Sequence, residues 1–216
     1  MLKTKLPYYL LLVIAAFFMV HVMYANLIAD PEASNFLGHK NNPAHLVNLP
    51  VWLGVMRVHL GFACLAMLSG AVNFSPWVRR HYRRFHRRNG YAYLVSVLVV
   101  SITSGYMAPY ATGGKPVSIA FNMLNVLWPA FTVLAINSIR KKRILQHQRW
   151  MVRSYAFCFT NMAVHLLAYA FRHWAGMSYQ AGYTAAIYGA IVLLLLLAEL
   201  VIRIFFRKPA GVSVLP

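Results

Sequence analysis

The chain has 216 residues, 60% of them hydrophobic, and carries 21 Lys and Arg against 3 Asp and Glu, for a formal net charge of +18. A soluble domain so apolar lacks the polar side chains to cover its own surface, so part of its solvent is expected to be lipid. The basic residues lie in short stretches between long apolar runs, which is the pattern of membrane topology and argues against a nucleic-acid-binding module.

A helix that crosses the hydrocarbon core needs roughly 20 mostly apolar residues, each advancing about 1.5 Å, with every backbone amide bonded inside the segment. Six stretches meet that requirement, close to 8–28, 52–74, 91–109, 117–139, 152–171 and 183–206. The expected fold is therefore all-α, a single polytopic membrane bundle of about six transmembrane helices. The first stretch follows Lys3 and Lys5 and ends near Ala25, so it also has the outline of a secretory signal peptide, whose removal would leave five spans. Its length and the lack of an A-x-A cleavage motif favour a retained helix. The loop from Ala29 to Pro50 holds Asp30, Glu32, His39 and His45 and reads as a compact polar cap.

The second loop contributes Arg79, Arg80, Arg83, Arg84, Arg87 and Arg88, and the fourth with its flank contributes Arg140, Lys141, Lys142, Arg143, Arg149 and Arg153. Of the 21 Lys and Arg, only Lys40, Lys115, Arg172 and Arg57 fall on the other side. That asymmetry predicts a chain with both termini in the cytoplasm, N-in and C-in, whose basic loops meet anionic headgroups. Gly113-Gly114 marks an outer turn. Asn122, Asn125, Pro129 and Thr132 form a polar stripe on the fourth span, which Pro129 is expected to kink. Glu199 and Arg203, four apart, are expected to pair along the last helix. Cys64 and Cys158 sit in apolar runs, where thiols behave as small hydrophobes.

Nine histidines are many for a chain of this kind, and an ionisable side chain inside a span is a functional suspect by default. His59 and His165 each lie seven residues inside an outer boundary, about 10 Å down. His86 and His147 open the third and fifth spans at the inner side. At 100° per residue, positions eighteen apart share a face, which puts His147 and His165 on one stripe with Ser154, Cys158 and Asn161. The His59 face carries Ala63, Ala66, Gly70 and Asn73, and the His86 face carries Gly90, Tyr93 and Ser104. Small residues beside paired imidazoles suit a flat macrocycle. The pairs His59 with His165 and His86 with His147 are thus candidate axial ligands to haem iron, with Arg57 outside and Arg87, Arg149 or Arg153 inside to balance propionates. The same stripes also suit helices that pack closely and histidines that hydrogen-bond between them without a cofactor. The separation of His147 and His165, about 27 Å along one helix, is long for two closely coupled cofactors.

Four runs carry a family resemblance: Arg57-Val58-His59-Leu60-Gly61, Ser69-Gly70, His86-Arg87-x-x-Gly90-x-x-Tyr93, and His147-x-x-Trp150-Met151-x-Arg153-Ser154-Tyr155. Through them the chain resembles an uncharacterised family of bacterial polytopic membrane proteins, which implies a shared fold and a bacterial inner-membrane location. A looser similarity is to cytochrome b561-like proteins, whose four-helix cores hold two b-type haems at two depths. That similarity implies haem b, electron transfer and a quinone or small reductant as partner. The fourth span departs from it by having no histidine. Two other functions fit the residues: a small-molecule or proton-coupled transporter using the histidines and the Asn stripe, and a lipid-binding or assembly protein acting through its basic loops.

Overall fold

A computed structural model describes residues 6–34 and 48–206, and every regular element among them is helical. In chain order these are α1 (Leu6–Tyr24), α2 (Leu49–Phe74), α3 (Pro76–His81), α4 (Arg83–Met107), α5 (Lys115–Arg140), α6 (Ile144–Ala156), α7 (Thr160–His173) and α8 (Tyr179–Phe205). A π-turn at Ala25–Ala29 extends α1, and single 3-10 turns follow α4 at Ala108–Tyr110 and join α6 to α7 at Phe157–Phe159. His39, His45, Lys3, Lys5 and Lys40 lie outside the described residues, as does most of the expected polar cap. What is described of that cap is a tight turn in which Asp30 Oδ1 accepts from both the amide (2.8 Å) and the hydroxyl (2.6 Å) of Ser34.

Five helical segments are long and apolar enough to cross a membrane: Tyr8–Ala29, Leu49–Phe74, Arg83–Tyr110, Lys115–Arg140 and Tyr179–Phe205. The starts are set by local chemistry. Asn48 and Ser178 cap α2 and α8 through side-chain oxygens that accept from Val51 N and Ala181 N, and Pro50 and Pro116 occupy first turns, where no amide is needed. Helix α4 begins eight residues before the expected 91. Arginine is a strong helix former, so the apolar run is continued through Arg83–Arg88 in helical form while a hydropathy window registers only its lipid-compatible part. Helix α5 runs through Pro129 from Lys115 to Arg140.

The stretch expected as one span at 152–171 is two helices joined by a 3-10 turn. No proline or glycine breaks it. The Thr160 hydroxyl instead donates to Phe157 O (2.8 Å), and the flanking rings are held from two sides, Phe157 stacked on Phe131 at 5.8 Å and Phe159 edge-on to Tyr155 at 5.6 Å. Both halves still run antiparallel along α8. Arg149 meets Phe206, Arg153 meets Glu199, Leu167 faces Gly189, and Phe171 and Arg172 face Gly182. The pair therefore forms a sixth column of the bundle.

Neighbouring columns alternate in direction. Asn89 donates to Ser69 O (2.7 Å) and Asn73 Oδ1 (3.0 Å) where α2 ends and α4 begins, and Tyr8 donates to Ala71 O (3.1 Å) from α1. This collects Arg79–Arg88, Arg140–Arg143 and Arg149 at one end of the bundle, here called the basic end. Arg57, Gly113–Lys115 and Arg172 lie at the other. Alanines 66, 71, 120, 135, 186 and 190 are buried between helices, while large apolar side chains such as Phe17, Ile102, Val126 and Leu196 point outwards. An apolar exterior over a small-residue interior is what packing in lipid selects.

Candidate functional site

A fully hydrogen-bonded polar cluster sits mid-bundle, where α4, α5 and α6 meet. Thr132 donates to Trp128 O (2.9 Å), so its one proton is spent and the 2.8 Å contact with Ser154 must be a bond donated by Ser154. Ser154 in turn accepts from Tyr93 (2.8 Å), and Tyr93 accepts from Trp128 Nε1 (3.3 Å). The chain of bonds closes on the residue where it began. Each hydroxyl gives once and receives at least once, which makes the ring a structural clasp. Beside it Tyr155 donates to Met67 O (3.0 Å), and its ring lies against Gly70, where a Cβ would overlap it. The residue types were visible in the sequence stripes, but the junction was not: Tyr93, Thr132 and Ser154 come from three helices whose relative rotation no single-helix periodicity specifies.

The histidines lie nearer the two ends. On α2 the half-buried His59 places Nδ1 3.0 Å from Thr103 Oγ1 of α4. That hydroxyl is engaged with the carbonyls of Val99 (2.7 Å) and Val100 (3.0 Å), so the ring is the donor. At the basic end His147 Nδ1 lies 2.9 Å from Ala135 O of α5, an acceptor only. Neutral His59 and neutral His147 are therefore both Nδ1-protonated, with the Nε2 lone pair left for a metal or a proton. A backbone or side-chain acceptor on the far nitrogen is the usual support of a metal-ligating imidazole. His86 lies within electrostatic reach of His147 and of Arg79, and its buried Nδ1 has no hydrogen-bond partner. A buried polar nitrogen left bare calls for a ligand or a water.

The expected outer pair is placed differently from the inner one. His165 is exposed on α7 and borders a cavity of about 220 Å³ with Tyr169, Arg172, Tyr179 and Tyr183, and it is within electrostatic reach of His21. Among the described residues no hydrogen bond or ring contact joins it to His59, whose helix packs chiefly on α4 while α7 packs chiefly on α8. Three of the four expected propionate partners, Arg57, Arg149 and Arg153, are already engaged. Arg57 reaches Pro31 O at 3.5 Å, and Arg149 donates twice to Phe206 O (3.1 and 2.9 Å), satisfying a carbonyl at the C-terminal end of α8. Arg153 grips Glu199 through Nε (2.6 Å) and Nη2 (3.2 Å) with its guanidinium 4.6 Å over the Trp150 ring. The partner of Glu199 is thus a cross-helix arginine, and Arg203 adds its charge from the same helix. Cys64 and Cys158 are free thiols.

No group of three or more His, Cys, Asp or Glu assembles among the described residues, so a bare metal ion has no three-ligand site there. A porphyrin supplies four nitrogens of its own and asks the protein for two at most, a smaller demand than a bare ion makes.

This architecture, long apolar helices with an apolar exterior and their cations gathered at one end, defines a multi-pass membrane protein. The chain belongs to the DUF2306 family of predicted membrane proteins, a family of unknown function whose profile matches residues 56–202. No curated protein and no solved structure matches it. The matched region runs from α2 to α8 and includes all four motif runs, so it takes in the hydroxyl clasp and the four candidate histidines.

Proposed function

We propose that the protein is a b-type haem-binding, electron-transferring membrane protein of the bacterial inner membrane, oriented with its basic end and both termini in the cytoplasm. The observation that carries the reading is the basic-end pair: His147 held through Nδ1, and His86 within electrostatic reach of it with a buried nitrogen that no described residue satisfies. Bound haem would supply one-electron chemistry. The chain's own residues do the rest: Ala135 O fixes the tautomer of His147, and the packed interior excludes water from between the helices. His59, anchored in the same way on Thr103, is the corresponding residue at the other level, with His165 as its expected partner. A membrane quinone is the redox partner this reading implies.

An absorption spectrum of detergent-purified protein from haem-replete cells tests the proposal. A Soret band that sharpens on reduction is expected, lost from the basic-end site in His147→Ala and His86→Ala. Wild-type protein without any such band overturns it. His59→Ala and His165→Ala report separately on a second level.

A further inference from the structure

We infer that the elbow between α3 and α4 is a headgroup site for an anionic glycerophospholipid of the surrounding leaflet. This does not depend on the haem reading. Arg80, Arg83, Arg84 and Arg88, with Tyr82 and Phe85, line a cavity of about 610 Å³ at the basic end. All six side chains are exposed.

The described residues leave the charge of this cavity unbalanced. The first turn of α4 holds Arg83 and Arg84 with no acidic residue and no side-chain cap, so cations sit at the positive end of a 25-residue helix dipole, the arrangement a helix tolerates worst. The sequence has 3 Asp and Glu side chains. Glu199 is held by Arg153, and Asp30 and Glu32 belong to the opposite end of the bundle. Among the described residues no Asp or Glu is placed to neutralise the elbow.

The aromatic side chains indicate the source of the counter-charge. Trp77, Tyr82 and Phe85 are each more than half exposed beside the arginines, with Trp77 packed on Tyr82 at 4.9 Å. Aromatic rings that border arginines at the end of a spanning helix occupy the boundary between acyl chains and headgroups. A ligand there meets guanidinium forks above and apolar rings below. A phosphodiester headgroup with attached acyl chains matches both, and arginine binds phosphate oxygens in a bidentate manner. An acidic peptide or a nucleic acid would match only the charge.

The test compares two clusters of equal charge. One variant replaces Arg80, Arg83, Arg84 and Arg88 by Gln; the control replaces Arg140, Lys141, Lys142 and Arg143, which lie at the same end outside the cavity. Native mass spectrometry of full-length protein, exchanged into nanodiscs of phosphatidylcholine with or without phosphatidylglycerol, reads retained lipid. Wild type and control are expected to retain phosphatidylglycerol selectively, and the elbow variant to retain at least about tenfold less. Replacing the same four arginines by Lys guards against misfolding, since it keeps the charge and is expected to restore most of the retention. Equal loss in elbow variant and control would reduce the effect to diffuse charge and overturn the site. Capture of poly-glutamate or an oligonucleotide without lipid selectivity would overturn it as well.

Discussion

The hydroxyl clasp in the middle of the bundle and the basic end handle polar groups in opposite ways. In the middle, Trp128, Tyr93, Ser154 and Thr132 satisfy one another completely, and the Tyr155 hydroxyl finds Met67 O. At the basic end His86 Nδ1 is bare and the elbow arginines have no carboxylates. A region that closes its own hydrogen bonds is built for packing, whereas one that leaves them open is built to receive something. On that contrast, substitutions in the middle should act on stability, and substitutions at the end should act on what the protein holds.

The largest effect is expected at Gly70. A side chain there meets the Tyr155 ring, which cannot withdraw because Phe74 packs on it at 5.2 Å, Phe159 at 5.6 Å, and its hydroxyl is bonded to Met67 O. Gly70→Leu should cost about 3 kcal/mol, seen as loss of the monodisperse peak in fluorescence-detected size exclusion. Next comes Ser154→Ala, which leaves the Tyr93 and Thr132 hydroxyls each short of a partner in a buried site, at about 1–3 kcal/mol. A thermal melt in detergent measures it. If Ser154→Ala instead stripped cofactor or lipid at unchanged stability, the division between the two regions would be wrong.

Glu199→Gln is expected to matter less. It removes the charge opposite Arg153, but the carboxylate is 42% exposed, so the loss should be about 1 kcal/mol. The conservative pair Arg153→Lys should cost a similar amount, because lysine keeps the charge and gives up the two-pronged grip and the stacking on Trp150.

Much of the fold was legible in the sequence because lipid imposes one simple rule, a long apolar run per crossing. The segments 52–74, 117–139 and 183–206 match Leu49–Phe74, Lys115–Arg140 and Tyr179–Phe205 to within a few residues. What escaped was set by tertiary contacts. The interruption at Phe157–Phe159 arises from ring packing and a threonine hydroxyl, with no breaker residue to announce it. Glu199 was paired by i+4 spacing with Arg203, but its two-bond partner is Arg153 from another helix, invisible to any single-helix rule. Among the histidines, His86 and His147 lie within electrostatic reach of each other, as their shared depth led one to expect. For His59 and His165, depth was readable, whereas the neighbours of each helix were not.

The smallest predicted effect bears on α1, which lies outside the matched region and has Ala15 as its fully enclosed position among the described residues. Tyr8 joins it to α2 by donating to Ala71 O, one of the last four carbonyls of that helix, which have no intrahelical donor. In water such a carbonyl would be hydrated, so the bond would be worth little. At the end of a spanning helix the same carbonyl has fewer partners to choose from, and the tyrosine supplies one while holding α1 upright against α2. Tyr8→Phe should therefore lower global stability by only about 0.5 kcal/mol. Amide exchange in α1 should accelerate while that of α2 to α8 stays as in the wild type. Faster exchange throughout the bundle would mean that α1 is part of the same cooperative unit as the clasp, and that the core does not stop at α2.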